Sequence, residues 1–140
     1  MIAKLTIKKQ YSLGRNERLK SHKLITKLFK QGQRFSSFPI RVLYILSSNQ
    51  EQSLQAGFSA SSKNFKKAVD RNRIKRLLRE CYRLQKKALQ EHLKNKTQQL
   101  SIFFIYTASE LPEYNILSEK MKAALDNLIV RTKDIPGKDQ

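Results

Sequence analysis

Between Lys63 and Lys87 the chain carries eleven lysines and arginines against two acids, Asp70 and Glu80. From Ile74 to one residue past this stretch, Ile74, Leu77, Leu78, Cys81, Leu84 and Ala88 fall on one stripe at 100° per residue, with Asn72, Arg76, Arg79, Arg83 and Lys86 on the opposite side. This pattern predicts one long helix over residues 65–93 whose apolar stripe needs a core and whose outer face needs an anion. A solvated helix face ordinarily mixes its signs so that i, i+4 pairs attract. Here Arg71, Lys75, Arg79 and Arg83 stack four apart with like charge, which disfavours the bare helix by a few tenths of a kcal/mol per pair, roughly. Arginine dominates the run, and its planar fork can grip phosphate through two parallel hydrogen bonds.

The whole chain repeats the imbalance. Its 140 residues include 29 lysines and arginines against 11 acids, a net charge of +18, and such a charge repels itself unless a polyanion neutralises it. Nucleic acid is the first candidate, because each phosphate contact releases condensed counterions. A membrane surface ranks second, but no apolar run approaches the roughly 20 residues that span a bilayer. The first residues lack the apolar region of a signal peptide, so a cytoplasmic location is expected. Cys81 has no second cysteine to pair with and is expected to pack as a small hydrophobe. His22, Cys81 and His92 show no ligand spacing, so no metal site is expected, and both histidines are read as surface residues.

Residues 1–17 read as a flexible basic arm, 18–131 as a single domain and 132–140 as a disordered tail. Ser21 suits an N-cap, Leu24, Ile25, Leu28 and Phe29 recur at helical spacing, and Gly32 stands where a helix ends, giving a helix over 22–31. Residues 39–47 and 54–61 read as two strands joined in a hairpin, with a further short strand near Arg34. Residues 100–107 (LSIFFIYT) read as a buried central strand, and Leu117, Met121, Ala124, Leu125, Leu128 and Ile129 mark a last helix after Pro112. The expected class is α+β, a mixed α/β sandwich with helices packed on one sheet. The strands at 54–61 and 101–107, joined through the long helix, form a parallel crossover, for which a right hand is the physical default.

The stretch Gly57 to Glu80, GFSASSKNFKKAVDRNRIKRLLRE, resembles the signature of the bacterial ribonuclease P protein subunit, centred on Arg71-Asn72-Arg73. Upstream, Arg18 to Gly32, RLKSHKLITKLFKQG, is similar to that family's first helix. The resemblance implies a protein cofactor of a ribozyme that removes the 5′ leader of precursor tRNA, with hydrolysis by the RNA subunit and its Mg2+ and no cofactor held by the protein alone. It implies an equimolar complex with the catalytic RNA, precursor tRNA as the second partner, no membrane, and a left-handed crossover in place of the default.

On that resemblance Arg71, Asn72, Arg73, Arg76, Arg79 and Arg83 are expected on the RNA subunit. Ile25, Phe29, Tyr44, Lys63, Lys66, Lys67 and Lys75 are expected around the single-stranded leader. Phe29 matches an aromatic of the family's cleft and fits core packing equally well. Ile25 stands where the family often has a ring, and offers contact without stacking. Tyr44 fits a structural strand position as well as the cleft. Ser62 stands where lysine is common, and Lys66 and Lys67 are placed to compensate. Gly57 is expected to allow a close backbone approach. No catalytic residue is expected in the protein.

Three other readings compete. A protein nuclease needs clustered carboxylates for a metal, whereas Glu51, Asp70, Glu80, Glu91, Glu110 and Glu113 are scattered. A structural RNA-binding protein shares the composition but not the compact Arg-Asn-Arg motif. A DNA-binding protein would show a helix-turn-helix, zinc knuckle or zipper, and none is present.

Overall fold

The computed structural model of the chain describes residues 13–48, 54–94, 96 and 98–134. Within them lie helices α1 (His22–Gln31), α2 (Ala68–Gln85), α3 (Lys87–Leu93) and α4 (Tyr114–Arg131), and strands β1 (Gln33–Ser37), β2 (Ile40–Ser47), β3 (Leu54–Ala60) and β4 (Gln99–Tyr106). The fold is α+β, with one sheet in the order β1-β2-β4-β3.

The expected hairpin between β2 and β3 does not form. β4 stands between them, antiparallel to β2 and parallel to β3, and β2 makes its hairpin with β1 through a turn holding a cis Phe38–Pro39 bond. Burial explains the order. β4 is the most apolar strand and takes a central position in which every residue is buried or half-buried, while every position of β1 is exposed or half-buried and tolerates an edge. The parallel β3–β4 crossover is as expected.

Helices α2, α3 and α4 cover one face of the sheet. Ile40, Val42, Tyr44, Leu100, Ile102, Phe104 and Tyr106 meet Ile74, Leu78, Cys81, Tyr82, Leu89, Met121 and Leu128 there. Tyr82 packs against the stacked pair Phe58 and Phe104, with ring centroids 5.6 and 5.5 Å away. Among the described residues the other face carries α1 alone, where Leu19, Leu28 and Leu43 are buried together. Ser21 caps α1 as expected, its Oγ accepting from the Leu24 amide at 3.2 Å. Gly32 ends that helix for a different reason than a left-handed turn. Its backbone is extended, and a Cβ there would stand 2.5 Å from the Leu28 carbonyl oxygen.

The single long helix is two helices. It begins at Ala68, after a loop in which Phe65 packs on Tyr106, and it breaks at Lys86. The break re-phases the apolar face: Leu84 and Ala88 are exposed, and Tyr82, Leu89 and Leu93 are buried in their place. Lys86 itself, expected outside, is 2% exposed and pairs with Glu17 at 2.7 Å. His92, expected at the surface, is half-buried and bonded to the Thr132 hydroxyl at 3.0 Å, whereas His22 is exposed. Cys81 packs in the core as a free thiol.

Packing also moves the domain's limits. Leu13 is buried in the main core, Glu17 binds Lys86, and Thr132 is buried at the end of α4, so the packed region runs at least from 13 to 132. The rest of the expected arm and tail, residues 1–12 and 135–140, lies outside the described residues. No described helix is long and apolar enough to cross a membrane.

Candidate nucleic-acid interface

The basic helix is α2, and its ladder of like charges is resolved residue by residue. At its start the Arg71 guanidinium donates to the carbonyls of Phe65 and Lys66, both at 2.8 Å, and so fastens the lead-in loop. Near its end Arg83 donates to the Glu80 carboxylate through Nε at 3.2 Å and through Nη2. Lys75 and Arg79, between those ends, face a cleft. Asn72, Arg73 and Arg76 are exposed. The repulsion inferred from the sequence is thus relieved at both ends and left standing in the middle.

The cleft, of about 420 Å3, opens between α1, α2 and the sheet. Residues 18–20 run beside β3, held by one isolated bridge between Arg18 and Ala56, with the Leu19 amide donating to the Ala56 carbonyl at 2.9 Å. This brings Arg18 and Lys20 to the cleft opposite Lys75 and Arg79, with Ile25 and Phe103 as apolar lining between them. Four cations around an apolar floor suit a single strand, whose phosphates seek charge and whose unpaired bases seek flat apolar surface.

Phe103 is the residue that sequence reasoning missed, because its strand reads as uniformly buried. Its ring sits so low on β3 that a Cβ at Gly57 would come within 2.8 Å of it. Only the β3–β4 register, which sets Gly57 directly opposite Phe103, reveals it, and that register is not carried by the sequence. The ring also meets Phe29 edge to face, with centroids 5.6 Å apart at 64°. Phe29 remains 44% exposed, and Arg34 holds its helix end by donating to the Phe29 carbonyl. Arg18 and Lys20 were legible only as part of the upstream motif.

The expected leader residues are therefore divided. Ile25 and Lys75 line the cleft and Phe29 adjoins it through Phe103. Lys63, Lys66 and Lys67 are exposed on the loop before α2, outside the cleft lining. Tyr44 is not brought to this group. It is 6% exposed on the opposite face of the sheet, edge to face with Phe35, because strand alternation places it with Val42 and away from Leu43. Of the expected RNA-subunit residues, Arg79 turns toward the cleft, while Arg71 and Arg83 are half-buried with partners inside the protein. Among the described residues no three histidines, cysteines or carboxylates converge as a metal site, and Glu80 is engaged by Arg83.

Comparison with known proteins gives the same family from two directions. The family model described as Ribonuclease P matches residues 13–129. A ribonuclease P protein component of Porphyromonas gingivalis is 34% identical over 116 residues, covering 82% of this chain and 85% of that one. The corresponding component of Chlorobaculum tepidum is 31% identical over 135 residues, covering 89% and 88%. A solved structure of a Staphylococcus aureus RNase P protein mutant superposes with a TM-score of 0.60 at 20% identity, covering 91% of this chain and 96% of that one. That last likeness is one of fold.

Proposed function

Because this chain belongs to the ribonuclease P protein family, whose general role is the processing of tRNA 5′ ends, we propose that it is the protein partner of a catalytic RNA and helps that RNA hold the leader of precursor tRNA. The observation that carries this reading is the cleft between α1, α2 and the sheet, with Arg18, Lys20, Lys75 and Arg79 around Ile25 and Phe103. Beside it, Asn72, Arg73 and Arg76 form an exposed polar face on the same helix. One helix so placed serves two RNA segments at once: the outer face docks on the catalytic RNA and the inner flank borders the single-stranded leader. Lys63, Lys66 and Lys67 extend the positive field at the mouth of α2.

The proposed work of the protein is binding and orientation. Holding the leader beside the docked RNA fixes the scissile bond relative to the ribozyme and converts part of an encounter into an intramolecular placement. Magnesium belongs to the RNA in this reading. The described carboxylates do not cluster into a set that fits a metal, so no step here passes through a protein-bound ion. Hydrolysis is assigned to the RNA subunit, and the complex is taken as equimolar.

Reconstitution tests the proposal. Protein, catalytic RNA of the same organism and a precursor tRNA are mixed singly and together, and release of the leader is followed. Cleavage at low magnesium is expected only with both subunits present, and robust cleavage by the protein alone would exclude the cofactor role. Arg73→Ala and Arg76→Ala should each weaken assembly with the RNA about tenfold, the scale of one charge-assisted hydrogen bond. Assembly unchanged by both would remove that face from the interface.

A further inference from the structure

Residues 61–67 (SSKNFKK) connect β3 to α2 and hold no acid, and Lys63, Lys66 and Lys67 stand exposed on them. Three like charges in five residues repel one another, so a free loop would not keep them at fixed positions. The residues between the lysines turn inward. Phe65 is buried, with its ring centroid 6.0 Å from that of Tyr106 and its amide donating to the Ser61 carbonyl at 3.0 Å. Asn64 Nδ2 donates to the Thr107 carbonyl at 2.9 Å and to the Ala108 carbonyl at 3.3 Å, across 43 and 44 residues of sequence. Those carbonyls are themselves held. The Thr107 amide and hydroxyl both donate to the Pro39 carbonyl, at 2.9 and 3.1 Å, and the Tyr106 hydroxyl donates to the Glu110 carbonyl at 2.6 Å. Arg71 fastens the segment to α2, and Asn64 fastens it to the connection that leaves β4.

An NH2 group has two hydrogens, and this one meets two backbone carbonyls, so the donors of Asn64 are taken up inside the protein although the side chain is exposed. We propose that Asn64 is a positioning residue for RNA: it touches no nucleotide, and by tying the segment to the β4–α4 connection it holds Lys63, Lys66 and Lys67 in place for phosphate before RNA arrives. Ordering of the segment then belongs to folding and not to association, which raises affinity without a new contact. The inference rests on the reading above, in which these lysines face RNA, and adds the residue that makes them a fixed surface.

A double-substitution cycle in the reconstituted complex tests this. Affinity of the protein for the catalytic RNA, and of the assembled complex for precursor tRNA, is measured for the unsubstituted protein, Asn64→Ala, the triple variant Lys63→Ala/Lys66→Ala/Lys67→Ala, and the two combined. Whichever step the triple variant weakens, Asn64→Ala should weaken the same step about fivefold, the scale of one net hydrogen bond. Added to the triple variant, Asn64→Ala should change that step by less than about twofold, because the groups it positions are gone. The log–log salt line of Asn64→Ala should be displaced with its slope kept, since the lysines still reach phosphate once bound, whereas the triple variant should give a shallower line. Asn64→Leu, close in size and without a donor, should follow Asn64→Ala. An Asn64→Ala loss that persists undiminished in the triple variant would make Asn64 a direct contact or a plain support of the fold, and would overturn the proposal. So would Asn64→Ala or Asn64→Leu binding like the unsubstituted protein while the triple variant binds weakly; the reading of the lysines would then stand. A triple variant indistinguishable from the unsubstituted protein at both steps would overturn that reading and the proposal together. Asn64 is a surface residue, so its substitution leaves the core intact.

Discussion

The ion pair between Lys86 and Glu17 joins segments 69 residues apart and stands nearly out of water, with the lysine 2% and the glutamate 23% exposed. Gln90 donates to the same carboxylate oxygen at 2.7 Å and the Gly14 amide to the other oxygen at 2.7 Å, so the anion is shared by three donors. An ammonium so buried needs its partner, because an unpaired buried charge costs far more than a pair returns. Lys86→Ala should therefore destabilise the protein by about 2 kcal/mol in urea unfolding, from the lost pair and the lost packing of the lysine stem. Lys86→Met, which keeps the stem, should cost less. Equal losses would mean that the charge carries the whole effect. Cys81 titrates in step with its burial: desolvation, aided by nearby Glu80, pushes its thiol from 9.0 up to about 11. The unfolded chain then releases this proton first. The contribution to stability is whole below about pH 9 and is lost as pH rises through about 11. Comparing Cys81→Ala with the parent protein across that window should show the parent falling more steeply, and parallel curves would show that the thiol does not titrate differently in the fold.

At the scale of elements, α2 owes its placement to fastenings at its two ends. Arg71 ties the loop carbonyls of Phe65 and Lys66 to the first turn, and Arg83 turns back onto Glu80. Arg71→Ala should cost about 1–2 kcal/mol, the range for charge-assisted bonds discounted for partial exposure, and should speed amide exchange in residues 61–67 ahead of the rest of α2. Uniform exchange along the helix would assign Arg71 to RNA alone. The periodicity of α2 and α4 was legible because each buries a repeating stripe, and that of α1 because Leu24, Ile25 and Leu28 turn toward the sheet, although Leu28 alone is fully buried. The bend at Lys86 was not, since it involves neither proline nor glycine and depends on Glu17, far away in sequence. Tyr44 illustrates the same limit within a strand. Alternation tells that Tyr44 and Leu43 face opposite ways, but which face meets α1 is decided by the register of β2 on β4. Gly57 and Phe103 were each readable as strand residues, and their contact belongs to the β3–β4 pairing alone.

The whole molecule is a sheet with a thick helical layer on one face and a thin one on the other, carrying +18 net charge. The parallel crossover could be read from the order of elements. The insertion of β4 between β2 and β3 could not, because pairing between distant strands is set by which strand gains most from being covered on both faces. The uneven layers have a consequence for function: among the described residues, the thinly covered face is the one that leaves the cleft accessible. The charge has a consequence for folding. In the free protein like charges repel across the surface, and added salt screens them over roughly 10 Å at 0.1 M, favouring the compact state. In the RNA complex the same salt competes with phosphate for the same cations. Raising potassium chloride should therefore raise the thermal midpoint of the free protein while lowering its affinity for the catalytic RNA along a straight log–log line. The two responses carry opposite signs because one surface charge is unfavourable alone and favourable against a polyanion. A free protein whose midpoint falls with salt would show that its cations are already balanced within the fold, and an RNA affinity indifferent to salt would show that phosphate contacts do not drive the complex.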